Sequence, residues 1–309
     1  MRVLVTGATG FVGSRLVPEL VAAGHDVRAL VRDPARYDPP EGVEVVEGDL
    51  LDPDSLDGDF DGVDAAYYLV HSMGTGGDFA ERDRRAARNF VDAADAAGVE
   101  RVVYLGGLGE ERAELSPHLR SRREVEAILA DADFELTSLR AAVIVGAGSA
   151  SFELVFQLVN RLPVMVTPKW VRTPCQPIAV RDVVAYLVGV LDAPETAGET
   201  YEIGGPEVLS YQQMLERTAA IAGKRLYILP VPVLSPKLST YWVDLVTNVP
   251  RSVAHPLIHG LKNPVVVTDD SITEAVDVDL TPFDDAARTA LAEYDGADQS
   301  AVDEADVDA

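Results

Sequence analysis

Short apolar runs and helical periods alternate along the first two thirds of the chain. Runs rich in β-branched and aromatic residues fall at 2–6, 26–31, 43–46, 64–70, 101–105, 135–145 and 200–204, and predict strands. Between them, apolar residues recur at helical spacing near 11–23, 79–97, 119–130 and 181–192. Strands joined by helices build a parallel sheet, because each return to the same end needs a crossover, and the helices then cover both faces. The expected fold is α/β, a Rossmann-type doubly wound parallel sheet over residues 1–205. A helical period at 210–222, a proline-interrupted apolar stretch at 226–250 and mixed structure to about 294 predict a smaller C-terminal, substrate-side lobe over 206–294. Residues 295–309 are acidic and poor in large apolar groups, the composition of a disordered tail.

Composition narrows this picture. The chain has 309 residues and is 47% hydrophobic, ample for a buried core. No stretch approaches the ~18 consecutive apolar residues of a membrane span. The first strand starts next to Met1, so no secretory leader is expected. With Cys175 as the one cysteine, there is no internal disulfide and a reducing, cytoplasmic location is expected. Charge changes more: 51 acidic against 26 basic residues give −25. Such a surface repels phosphate backbones, which argues against nucleic acid as a partner. It also suggests halophilic adaptation, in which carboxylates hold water and counterions screen their repulsion.

Candidate chemistry begins at residues 3–13, VLVTGATGFVG, where a strand breaks into Gly7, Gly10 and Gly13 and runs on as a helix. Gly7 permits a tight turn, Gly10 a close approach of backbone to a pyrophosphate, and Gly13 close packing of the following helix, whose first amides then face the phosphates. The second strand ends in Arg32-Asp33, about 20 residues on, where such folds read the adenosine ribose. A guanidinium there fits a 2′-phosphate through paired, charge-assisted hydrogen bonds, which favours NADP. Asp33 is the counterargument, since a carboxylate accepts from an NAD ribose, so NAD stays open as second choice.

The ordered set VTGATGFVGSRL, LVRDP, EGDLLDP, YYLVHSMG and AGVERVVYLGGLG resembles the extended and atypical branches of the short-chain dehydrogenase/reductase superfamily, over roughly residues 1–225. SPHLRSRREVE and GETYEIGGPEVLSYQQML look most like an atypical subgroup with NAD(P)H-binding, NmrA-like or epimerase/dehydratase-like members. The resemblance implies Gly7, Thr9, Gly10, Phe11, Val12 and Gly13 around the pyrophosphate, and Arg32 at the adenosine ribose. It implies Asp49 and Leu50 beside adenine, as acceptor and apolar flank, and Val70 with His71 along the nicotinamide ribose. Non-enzymatic relatives of this branch add two alternatives to an oxidoreductase acting on a small molecule: a redox sensor, or a subunit attached to a respiratory complex. A homo-oligomer is also open.

The sequence departs from the family at its chemistry. Catalytic members carry Tyr-x-x-x-Lys, the Lys lowering the pKa of the Tyr that moves the proton, and a Ser or Thr at the preceding strand end. No Tyr here is followed four residues later by Lys, and the Ser position reads Gly106-Gly107. The matching helix offers His118 and Arg122. Two readings compete. Either His118 is the acid or base, titrating near neutrality, with Arg122 in the role of the Lys, or His118 merely follows a Ser116-Pro117 helix start. Hydride transfer can draw its proton from water, whereas sugar epimerisation normally demands the Tyr, so a nucleotide-sugar epimerase or dehydratase ranks third.

Weaker candidates remain. Arg140, ending a strand near the expected cleft, could meet substrate or pair with an acid. Cys175 reads as a buried thiol, and Tyr241, Trp242, Leu245 and Val246 as a core stripe more than a docking face. Pro256 and the lack of a nearby acid argue against a metal at His255 and His259, and no metal is expected.

Overall fold

The structure is a computed structural model and describes residues 1–72, 79–109, 116–231 and 263–294. The tail at 295–309, most of the 226–250 stretch with Tyr241 and Trp242, and His255 and His259 lie outside the described residues.

In chain order the elements begin with β1 (Arg2–Thr6), α1 (Gly13–Ala22), β2 (Asp26–Val31), β3 (Glu44–Glu47), β4 (Ala65–Tyr68) and α2 (Phe79–Ala97). They continue with β5 (Arg101–Gly107), α3 (Pro117–Ala130), β6 (Glu135–Ala141), β7 (Ile144–Val145), α4 (Ala150–Arg161), β8 (Val164–Pro168) and β9 (Pro174–Cys175). Next come β10 (Ile178–Ala179), α5 (Val180–Asp192), β11 (Thr200–Ile203), β12 (Leu209–Ser210), α6 (Tyr211–Ile221) and β13 (Tyr227–Val231). A short α7 (Ile272–Ala275) and a helix over 283–294, α8, follow.

Two compact units interleave along the chain. Met1–Ala141, Arg181–Ile203 and Val267–Asp279 form the first, and Ala142–Val180, Gly204–Val266 and Leu280–Ala309 the second. The chain thus first leaves the sheet unit after Ala141, and residues 142–180, placed by the sequence with the sheet, group with 204–266.

The first unit is the expected doubly wound sheet. Seven parallel strands lie in the order β11-β6-β5-β4-β1-β2-β3. The order runs outward from β1 in two directions, so the loops after β1 and β4 diverge there and open a crevice at the carboxyl ends. Adjacent tyrosines show both faces filled. Tyr68 sets its ring edge-on to Phe90 of α2 at 5.1 Å, whereas Tyr67 points the other way and donates to the Leu187 carbonyl of α5 at 2.6 Å. Buried Arg101 ties α5 down from the start of β5, donating to the Leu191 and Ala193 carbonyls and the Thr196 hydroxyl. A cation there meets the negative end of the helix dipole.

In the second unit, α4 starts at a Ser149 cap and stacks Phe156 on Tyr294 of α8 at 4.3 Å. A capping box, Ser210 with Gln213, starts α6. Arg217 of α6 pairs with Glu207 and Asp284, both at 2.6 Å. Three small sheets complete it: β7–β10 and β8–β13 parallel, β9–β12 antiparallel.

Candidate functional site

Thr6 ends β1, donates its hydroxyl to the Tyr67 carbonyl at 2.9 Å, and so fixes the start of the glycine loop against β4. Gly7 takes φ +73, and the Gly10 amide donates back to the Gly7 carbonyl at 2.9 Å to close the turn. A Cβ on Gly13 would lie 2.1 Å from the Gly7 carbonyl oxygen, so the third glycine serves loop-to-helix contact rather than helix-to-sheet packing. Thr9 and Gly10 are exposed at the loop tip, and Phe11 and Val12 are half-buried. No side chain caps α1 and its first turn holds no acid, so its positive end meets no carboxylate of its own first turn.

At the end of β2, Arg32 is exposed and pairs with no described carboxylate. Its neighbour is engaged: Asp33 accepts from the Ala35 amide at 3.2 Å and caps the single helical turn Pro34–Arg36. After β3, Asp49 is half-buried and accepts from the Leu51 amide at 2.9 Å, while its own amide donates to Ser55 at 2.8 Å. Leu50 does not offer its side chain as an apolar flank. It is 4% exposed within the core under α2, and its carbonyl accepts from Asn89 at 2.7 Å.

The loop after β4 and the start of α3 bring His71 and His118 together, with ring centroids 6.4 Å apart and planes at 67°. Ser116 caps α3 by accepting from the Leu119 amide at 3.3 Å, with Pro117 in the first turn, so His118 sits on a regular helix start. One turn on, Arg122 donates to the Leu105 carbonyl near the end of β5 at 3.3 Å, and Tyr104 donates to the Arg122 carbonyl at 3.0 Å. The titration near pH 7 expected for His118 is shifted downward. Its half-buried ring and the Arg122 charge both disfavour the imidazolium and push it down to about 3. His71 is lowered in the same direction, by the protein packed around its ring and by the charges of Arg122 and His118, with water at its open side screening part of the effect. Both imidazoles are neutral at pH 7. Where the family carries Ser, a Cβ on Gly107 would lie 2.7 Å from Leu119, so the leucine fills that space.

A residue that the sequence reading overlooked organises this cluster. Asp83 of α2 is 5% exposed, accepts from the Ser72 amide at 2.7 Å and from the Ser121 hydroxyl at 2.9 Å. It therefore ties the residue after His71 to the residue before Arg122. Its signal was legible: Asp83 falls on the buried stripe of α2 with Ala86, Ala87, Phe90 and Ala94, an acid where helical period demands an apolar side chain.

Arg140 faces α3. Its Nε donates to both Glu126 oxygens, at 3.0 and 3.2 Å, and Arg123 donates to the same carboxylate at 3.3 Å, beside a cavity of about 620 Å³. Cys175 is buried, which pushes its thiol up to about 11. Among the described residues no three His, Cys, Asp or Glu side chains group as metal ligands, and no helix is long and apolar enough to cross a membrane.

A parallel sheet in this order, with an uncapped helix behind a three-glycine loop, defines a dinucleotide-binding Rossmann protein. Residues 7–156 match the family model described as NAD(P)H-binding. The chain is 32% identical over 226 residues to the (4-alkanoyl-5-oxo-2,5-dihydrofuran-3-yl)methyl phosphate reductase of Streptomyces griseus, covering 72% of this chain and 75% of that protein. It therefore belongs to the atypical, NAD(P)H-binding branch of the short-chain dehydrogenase/reductase superfamily, a reductase-like family. It is also 26% identical over 299 residues to the Arabidopsis thaliana NADH dehydrogenase [ubiquinone] 1 alpha subcomplex subunit 9, covering 90% of this chain and 73% of that one. Among solved structures, the Citrobacter sp. triphenylmethane reductase aligns with a TM-score of 0.77 at 21% identity over 94% of this chain and 99% of that one, and has also been solved with NADP(H).

Proposed function

We propose that the chain is a reductase that uses NADPH in preference to NADH. The observation that carries the cofactor choice is the division of labour at 32 and 33: Asp33 is engaged as a helix-turn cap, while Arg32 is exposed with no described partner. A guanidinium so placed suits a 2′-phosphate. Gly7, Thr9, Gly10, Phe11, Val12 and Gly13 cradle the pyrophosphate at the α1 amides. Asp49 offers its carboxylate to the adenine amino group, Leu50 its backbone, and Val70 with His71 line the nicotinamide ribose. The dinucleotide supplies the hydride. The neutral His118 imidazole donates a hydrogen bond to the acceptor oxygen, as an electrophile rather than a proton source, and Arg122 favours the charge that develops there. Water supplies the proton. Arg140 is tied to Glu126 and is a structural residue in this reading.

The test is titration of the protein with NADPH and NADH, then turnover with quinones and carbonyl compounds. Arg32→Ala should weaken NADPH by roughly ten- to a hundredfold, the worth of hydrogen bonds to a charged group, and leave NADH nearly unchanged. Equal losses for the two cofactors would assign Arg32 elsewhere. A second reading, a dinucleotide-binding subunit without turnover, draws support from the missing Tyr-x-x-x-Lys and from the respiratory-complex relative. Tight NADPH binding with no turnover on any acceptor would favour it over the reductase.

A further inference from the structure

We propose that the β8–β13 ribbon of the second unit is a docking face for an anionic lipid surface. In parallel register Tyr227 lies opposite Val164 and Leu229 opposite Val166. These four side chains are 60%, 48%, 55% and 46% exposed, and with Met1 and Val208 they are the large apolar residues the described chain leaves most open. The intervening Met165 is 1% exposed, so the ribbon is apolar on both faces and buried on one. Parallel strands with apolar residues on both faces are normally covered on both.

Charge identifies what covers the open face. Although 51 of the residues are acidic, no Asp or Glu occurs in 154–181 or in 217–243, the stretches that contain β8 and β13. The same stretches place Arg161 just before β8, Arg172 just after it, and Lys224 and Arg225 just before β13, all exposed. Lys224 donates to the Asn160 side chain at 2.5 Å, which fixes the entry to both strands side by side. An apolar face with a half-exposed tyrosine and a cationic rim matches the acyl boundary and phosphates of an anionic bilayer. A second copy is the poorer occupant, because a two-fold contact sets each face against its own image and brings these cations together.

The experiment is flotation of the full chain with phosphatidylglycerol or phosphatidylcholine vesicles, at the lowest potassium chloride that keeps the chain folded by circular dichroism. The expected result is at least about tenfold more protein on phosphatidylglycerol, against the overall negative charge of the chain. Val166→Glu with Leu229→Glu should abolish flotation. Arg172→Glu with Arg225→Glu should lower it by about tenfold or more while leaving NADPH affinity unchanged, and it carries the test alone if the first pair misfolds. No flotation, or equal flotation on both lipids, overturns the proposal. So does self-association without vesicles that Val166→Glu with Leu229→Glu removes, which would assign the face to a second copy.

Discussion

A buried carboxylate persists only where donors replace its lost hydration. Asp83 has one from the Ser72 backbone and one from Ser121. Asp83→Ala removes the acceptor that the two serines share and should cost about 1–3 kcal/mol in urea unfolding, whereas Asp83→Asn, which can accept from one serine and donate to the other, should cost markedly less. His118 poses the complementary case. Its folded pKa lies below the ordinary value, so the unfolded chain binds the proton more readily. Its contribution to stability is therefore complete above the ordinary histidine pKa and is lost as pH falls through that range towards about 3. Melting temperatures between pH 7 and 5 should thus fall more steeply for the wild type than for His118→Gln, and equal slopes would mean an unshifted imidazole. Spacing revealed the His118–Arg122 pair. It could not reveal that His71 closes on His118, because that depends on Asp83 joining the loop after β4 to α3, segments distant in sequence.

At the scale of elements, Gly13 seats α1 against the glycine loop and Arg101 ties β5 to α5, one by having no side chain and the other by having a long one. Gly13→Ala drives a Cβ into the Gly7 carbonyl and should distort the loop, lowering affinity for both dinucleotides alike, unlike Arg32→Ala. Arg101→Leu removes the donors that satisfy the last carbonyls of α5 and should cost about 2–4 kcal/mol by calorimetry, the range for breaking a buried charged network. The strands and helices of the sheet unit were legible where a run is strongly β-branched or strongly periodic and is closed by glycine, as at β1, α1, β3 and α2. Predicted β1, β2 and α2 have the observed limits. The single strand expected over 135–145 breaks into β6 and β7 where the chain leaves the sheet. The sequence reading passed over α4 and β8, since their apolar residues run together with only Asn160, Arg161 and Pro163 between them, and the Ser149 cap was the one clear marker.

For the whole molecule, a net charge of −25 sets the dominant long-range term. At ~0.01 M salt the screening length is about 30 Å, comparable to a domain, so the carboxylates repel one another across the fold; at ~1 M it is about 3 Å and only near neighbours interact. The folded chain concentrates this charge more than the unfolded one, and added salt should therefore stabilise it. Chloride is not a strongly excluded anion, so a gain with potassium chloride reports screening rather than the strengthened apolar burial that sulfate produces. The melting temperature is expected to climb steeply from millimolar to molar potassium chloride, with most of the rise complete once the screening length falls below the spacing of surface carboxylates. Sulfate at matched ionic strength should add a smaller increment that acts on the core. A melting temperature that does not move between ~0.01 M and ~1 M potassium chloride would show that the acidic surface carries no stability dependence, and the halophilic reading of the composition would fall.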